Sequence, residues 1–113
     1  MKTTQENKNS RAEKPKENRL RSARLESQLK SFLASQIKSL RGEMSQGEFG
    51  KLIGKPQSVV SRLEDPSYGK VTLQTLLDIA SKLDIAVIVS FASYSTYRDV
   101  TKDLVTASIR PKH

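Results

Sequence analysis

The stretch SQGEFGKLIGKPQSVVSRLE, running from Ser45 to Glu64, constrains the fold more than any other part of the chain. It reads as two short helices joined by a tight turn at Gly54. A hydroxyl at Ser45 can accept the backbone N–H three residues on, and Glu48 can reach back to the N–H of Ser45, which makes a capping box. Met44 and Phe49 flank that box at the spacing of a hydrophobic staple. Gly54 falls where the first helix must stop, because glycine takes the left-handed conformation without a Cβ clash. Beyond the turn, Val59, Val60 and Leu63 form an inward face, while Gln57, Ser58, Ser61 and Arg62 lie elsewhere on the helix. All four can donate hydrogen bonds, and Gln and Arg can make the bidentate contacts that read base edges in a DNA major groove.

The surrounding chain supplies more helices. From Leu20 to Leu40 an apolar stripe of Leu25, Leu29, Phe32, Leu33, Ile37 and Leu40 keeps helical spacing, and Gly42 closes it. This stripe is expected to be core. Arg41 is expected to be a solvated side chain. Gly47 and Gly50 weaken the Ser45–Ile53 helix by about 1 kcal/mol each relative to alanine. Gly50 is expected where the two short helices cross closely, and Gly47 has no evident reason. Asp65-Pro66 and Tyr68-Gly69 mark a turn. Thr72 then caps a fourth helix, with Val71 and Leu76 as its staple. Leu73, Leu76, Leu77, Ile79, Ala80 and Leu83 form its expected apolar face.

At Ile85 the period changes. Ile85, Val87, Val89 and Phe91 alternate with Ala86, Ile88 and Ser90, which predicts a strand. One strand cannot complete its own ladder. The Tyr94, Tyr97, Val100, Leu104 and Val105 pattern is more helical than β, so the expected partner is the same strand of a second copy, giving a two-fold homodimer. The fold class expected is therefore mainly α, with four to five helices and a C-terminal β-strand pairing across a dimer. Residues 1–19 read as a disordered basic tail, 20–92 as the domain with its terminal strand, and 93–113 as a C-terminal extension.

Charge points to a polyanionic partner. The 113-residue chain carries 20 Lys and Arg against 12 Asp and Glu, a net charge of +8. Eight basic and three acidic residues fall within 1–24, which places +5 of that excess there. Such a segment can lie on DNA phosphates or simply be a solvated tail. Cysteine is absent and His113 is the lone histidine, which excludes disulfides, thiolate metal sites and nucleophile–base pairs of the Cys–His kind. No catalytic residue, metal or cofactor is expected, and an enzyme is excluded on that ground. No apolar run approaches a membrane span, and the polar N-terminal segment lacks a signal-peptide core, so the expected location is cytoplasmic.

Residues Leu40 to Ile85 resemble the lambda-repressor-like, or Xre-type, helix-turn-helix family. The resemblance is carried by Ser45-Gln46, Gly54, Gln57-Ser58, Val60-Ser61-Arg62-Leu63-Glu64, and Leu73, Leu76-Leu77 and Ile79-Ala80. It implies that the helix at 56–64 enters the major groove while the preceding helix lies across the backbone. Gln57, Ser58 and Arg62 would then read bases, and Ser61 a base or a phosphate. Gln46, Lys55 and Lys70 would contact phosphates, and Glu64 would serve the fold. The family usually has Ser or Thr at position 56, where this chain has Pro56, and the capping hydroxyl is lost. The segment from Asp84 onward resembles a strand-ended subset of the family that includes antitoxins. Two functions follow as expectations: a dimeric repressor reading a near-palindromic operator, or an antitoxin that binds a toxin protein and represses its own operon.

Overall fold

The computed structural model describes residues 15–109, with side chains to residue 102. Among the described residues the chain is mainly helical: α1 (Pro15–Arg41), α2 (Gln46–Ile53), α3 (Gln57–Leu63), α4 (Leu73–Leu83) and α5 (Tyr94–Ile109). No helix among them is long and apolar enough to cross a membrane. The expected tail falls in two parts. Residues 1–14 lie outside the described residues, and residues 15–19 are helical, so α1 starts at Pro15 rather than Leu20. Proline suits a first helical position, where its missing N–H leaves no bond unmade.

Local signals end the helices where the sequence places them. Gly42 takes φ 60° and its N–H reaches the carbonyls of Lys38 and Ser39, closing α1. At the start of α2, Ser45 Oγ accepts the Glu48 N–H at 3.1 Å and Glu48 Oε1 accepts the Ser45 N–H at 2.8 Å. Gly54, with φ 73°, stops α2 in the left-handed region. Thr72 Oγ1 accepts the Thr75 N–H at 3.2 Å at the start of α4. Pro56 sits at the N-cap of α3, one residue ahead of the helix, and offers no side-chain cap. Its carbonyl alone accepts the N–H groups of Val59 and Val60.

One small core joins four helices. Ile37 of α1, Phe49 and Ile53 of α2, Val60 and Leu63 of α3, and Ile79 of α4 are buried together. Leu33, Met44, Val59, Val71, Leu76 and Leu83 pack around them, so both staple pairs reach the core. Gly50 lies under the turn that joins α2 to α3. A Cβ there would stand 2.5 Å from the Lys55 carbonyl oxygen, which is backbone and cannot yield cheaply. Nothing in the structure explains Gly47, whose added Cβ would meet only Ser45 Oγ at 3.9 Å.

The core is narrower than the apolar pattern. Leu29 and Leu40 of α1 and Leu73 and Leu77 of α4 are exposed, contrary to expectation, and so is Leu52 of α2. The reason is geometric. An apolar stripe over 100° wide needs neighbours on both flanks, and each of these helices has the core on one flank only. A 27-residue α1 also spans about 40 Å, far longer than the cluster near its C-terminal end. Its N-terminal half is met instead by α5, through the Arg21 guanidinium 4.3 Å over the Tyr94 ring and a 2.7 Å bond from Tyr97 Oη to Gln28 Oε1.

Among the described residues the expected strand at Ile85–Phe91 forms no ladder within one chain. Residues 85–93 carry neither helix nor strand. The physical reason is the one that made a second copy necessary: a ladder needs a second edge, and the described residues provide none.

Candidate nucleic-acid interface

Helix α3 has two unlike sides. Val60 and Leu63 are buried and Val59 is half-buried, whereas Gln57, Ser58, Ser61 and Arg62 are exposed. Positions 57, 58, 61 and 62 are spaced i, i+1, i+4 and i+5, which puts them on one face of a helix. Ser58, Ser61 and Arg62 make no side-chain hydrogen bond among the described residues, so their donors are uncommitted.

Gln57 differs, because it ends a chain of side chains that begins on α1. Arg41 Nε donates to Glu64 Oε2 at 2.6 Å and Arg41 Nη2 to Glu64 Oε1 at 3.0 Å, a bidentate pair. Arg41 Nη1 donates to the Met44 carbonyl at 2.7 Å. Gln46 Nε2 donates to Glu64 Oε1 at 3.2 Å, and Gln57 Nε2 donates to Gln46 Oε1 at 2.7 Å. Glu64 can only accept, so Gln46 must face it with its amino group. Gln46 then offers its oxygen to Gln57, which must donate. The carboxylate thereby fixes both amides. It leaves the Gln57 oxygen and one Gln57 N–H uncommitted, the acceptor and donor that a bidentate contact with adenine uses.

Glu64 is bonded within the fold, the role the resemblance implies for it, and Arg41 joins it there rather than standing in solvent. The Glu64 side chain is 6% exposed and that of Arg41 17%. Burial pushes the Glu64 carboxyl up. Hydrogen bonds from Arg41 and Gln46, with the charges of Arg41 and Lys38, outweigh it and hold the group below its ordinary value. Arg41 was open to no sequence rule, because its partner lies 23 positions away and only the folded chain brings them together.

The three phosphate candidates stand differently. Gln46 is half-buried in the chain just described, with one N–H to spare. Lys55 is held at 3.3 Å by Asp78, whose carboxyl lies below its ordinary value through hydrogen bonds from Gln74 and Lys55. Lys70 is exposed and has no partner among the described residues. Fold and face together define a helical protein with a donor-rich helix surface that carries one cation, Arg62. Comparison with protein-family models, curated proteins and solved structures finds no match for this chain.

Proposed function

We propose that this protein is a sequence-specific double-stranded DNA-binding transcriptional regulator of the helix-turn-helix kind, acting in the cytoplasm as a dimeric repressor. The observation that supports it is the outer face of α3. Ser58, Ser61 and Arg62 stand exposed and unbonded there, beside a Gln57 amide already aimed by Gln46. In this reading α3 lies in the major groove and α2 crosses the backbone. Gln57, Ser58 and Arg62 read base edges, and Ser61 a base or a phosphate. Lys70 meets a phosphate with its full charge, Gln46 with its spare N–H, and Lys55 less strongly because Asp78 shares it. The dimer joins through residues 85–91 as a C-terminal strand, and its two α3 helices address half-sites about 34 Å apart. Repression is steric, by occupying an operator that overlaps a promoter.

Genomic DNA pull-down followed by footprinting tests this. A protected near-palindrome with two half-sites supports it; retention without a footprint on any sequence would leave only charge-driven binding.

A second reading is an antitoxin whose partner is a toxin protein. It is favoured by Ile88, Val89 and Phe91, which are 88%, 68% and 99% exposed, since large uncovered apolar groups mark interaction surfaces. A stable complex with the product of a neighbouring gene on co-expression would favour it over the plain repressor.

A further inference from the structure

A side chain from α4 crosses the turn between α2 and α3. Gly54 has no Cβ, and one added there would meet a single group among the described residues, Lys82 Cε at 3.8 Å. The Lys82 stem therefore lies against the backbone of the turn, one residue before Lys55 and three before Gln57 at the start of α3. Lys82 is otherwise exposed.

An acid stands beside it, already engaged. Asp78 Oδ2 accepts from Lys55 Nζ at 3.3 Å, and Asp78 Oδ1 accepts from Gln74 Nε2 at 2.9 Å. Lys82 follows Asp78 by four residues on α4, the spacing and direction at which an acid and a base pair on a helix. Yet Lys82 makes no hydrogen bond or ion pair among the described residues. Each carboxylate oxygen has its donor, and the second lysine is left over. The Asp78 carboxyl lies below its ordinary value through the bonds from Gln74 and Lys55, and the charges of Lys55 and then Lys82 add to that lowering. The Lys82 ammonium is thus inside the field of Asp78 without being held by it.

We infer that Lys82 is a further phosphate-contacting residue of the turn that leads into α3, left free because Lys55 engages Asp78. Its ligand is an oxygen of the DNA backbone. This rests on the DNA reading above and extends the contact surface to α4.

Charge and placement both favour a phosphate. Two ammonium groups meet one carboxylate here, so one positive charge is in excess whichever lysine Asp78 holds. Asp78 holds Lys55, and Lys82 keeps the larger share of the excess. When the N-terminal residues of α3 reach base edges, the turn just ahead of them faces the flanking backbone. An ammonium on a flexible stem is a compact point charge that suits a phosphate oxygen. Lys82 also lies in the last turn of α4, where a cation favours the helix end. That role acts on stability and leaves DNA binding untouched, so the two roles separate by measurement. Asp78 further couples the two lysines. With Lys55 removed, Asp78 Oδ2 is vacant and Lys82 is correctly spaced to take it.

The salt dependence of binding to a random-sequence DNA duplex tests this, because phosphate contacts carry no sequence information. Lys82→Gln should lower the slope of log affinity against log salt by about one, and Lys82→Arg should keep it. In a Lys55→Gln chain the same Lys82→Gln step should be smaller, because Asp78 draws Lys82 in. Adding Asp78→Asn to that chain should restore the full step of about one. An unchanged slope in Lys82→Gln, with or without a lower unfolding midpoint, overturns the contact and leaves Lys82 a helix-end charge. An equal step in the Lys55→Gln chain overturns the part assigned to Asp78. The DNA reading fails separately, when the unsubstituted chain gives no footprint on any sequence. No binding of the unsubstituted chain to the random duplex overturns both.

Discussion

Phe49 and Phe91 are the same residue in opposite circumstances. Phe49 is fully buried under α3, and Phe91 is 99% exposed in the segment after α4. Around Phe49 every local need is met within one chain: Ser45 and Glu48 cap α2, Gly54 ends it, and Glu64 holds α1, α2 and α3 together. Around Phe91 the apolar content is as high, yet among the described residues nothing covers it and its backbone is unbonded. Apolar sequence alone therefore does not locate a core. A segment becomes core when its neighbours complete it, and a segment left incomplete is the natural place for an interface.

Truncating each phenylalanine gives the largest contrast. Phe49→Ala should cost about 3–5 kcal/mol of unfolding free energy in urea titration, the usual range for a buried aromatic. Phe91→Ala should leave the unfolding of dilute monomer within about 0.5 kcal/mol, as for an exposed position, and instead raise the dimer dissociation constant measured by sedimentation. If Phe91→Ala destabilised the monomer as much as Phe49→Ala, the two regions would not differ in kind.

Glu64 comes next. Glu64→Ala leaves Arg41 half-buried without its carboxylate and frees both Gln46 and Gln57. It should cost about 2–3 kcal/mol, less than a fully buried pair because the Arg41 side chain retains some solvent contact. The native carboxyl lies below its ordinary value, so the unfolded state takes up its proton first as pH falls. The stability that Glu64 contributes is thus complete above the unfolded-state value and is lost as pH drops through the lower folded value. Urea titrations between neutral and acid pH should show this loss in the native chain and a flatter curve in Glu64→Gln. Equal slopes would mean that the carboxylate is no better placed folded than unfolded.

These two regions were not equally legible in the sequence. Caps, staples and glycine turns act over three to five residues, and Ser45, Glu48, Gly54, Thr72 and the buried Phe49, Val60 and Leu63 stand where their spacing puts them. Leu73 and Leu77 were misread as core because burial depends on which side of α4 another helix covers, and spacing does not carry that information. Arg41 was misread for the same reason. Its environment is made by a residue from another helix. The outer face of α3 was legible as polar but not as uncommitted, since only the structure separates a bonded Gln57 from an unbonded Arg62.

Arg62→Ala probes that uncommitted face. Removing an exposed side chain should leave stability within about 0.5 kcal/mol. If Arg62 reads a base, the specific site should lose about 1–3 kcal/mol of binding free energy while random DNA loses little. Competition binding at fixed salt separates the cases. Equal losses on both DNAs would make Arg62 a phosphate contact and move base reading to Gln57 and Ser58.

The smallest expected effect separates two lysines. Lys70 has no partner in the described chain, whereas Lys55 already has Asp78 at 3.3 Å. A lysine that neutralises one phosphate contributes close to one unit to the salt slope of binding. Lys70→Gln should therefore lower the slope of log affinity against log salt by about one. Lys55→Gln should lower it by less, because its ammonium must divide its field between Asp78 and the phosphate, and removing it leaves the Asp78 carboxylate facing the DNA. Affinity should then fall more than the slope does in Lys55→Gln. The double substitution Lys55→Gln with Asp78→Asn removes that repulsion and should recover part of the affinity. Without recovery, Lys55 meets the phosphate directly and Asp78 stands aside in the complex.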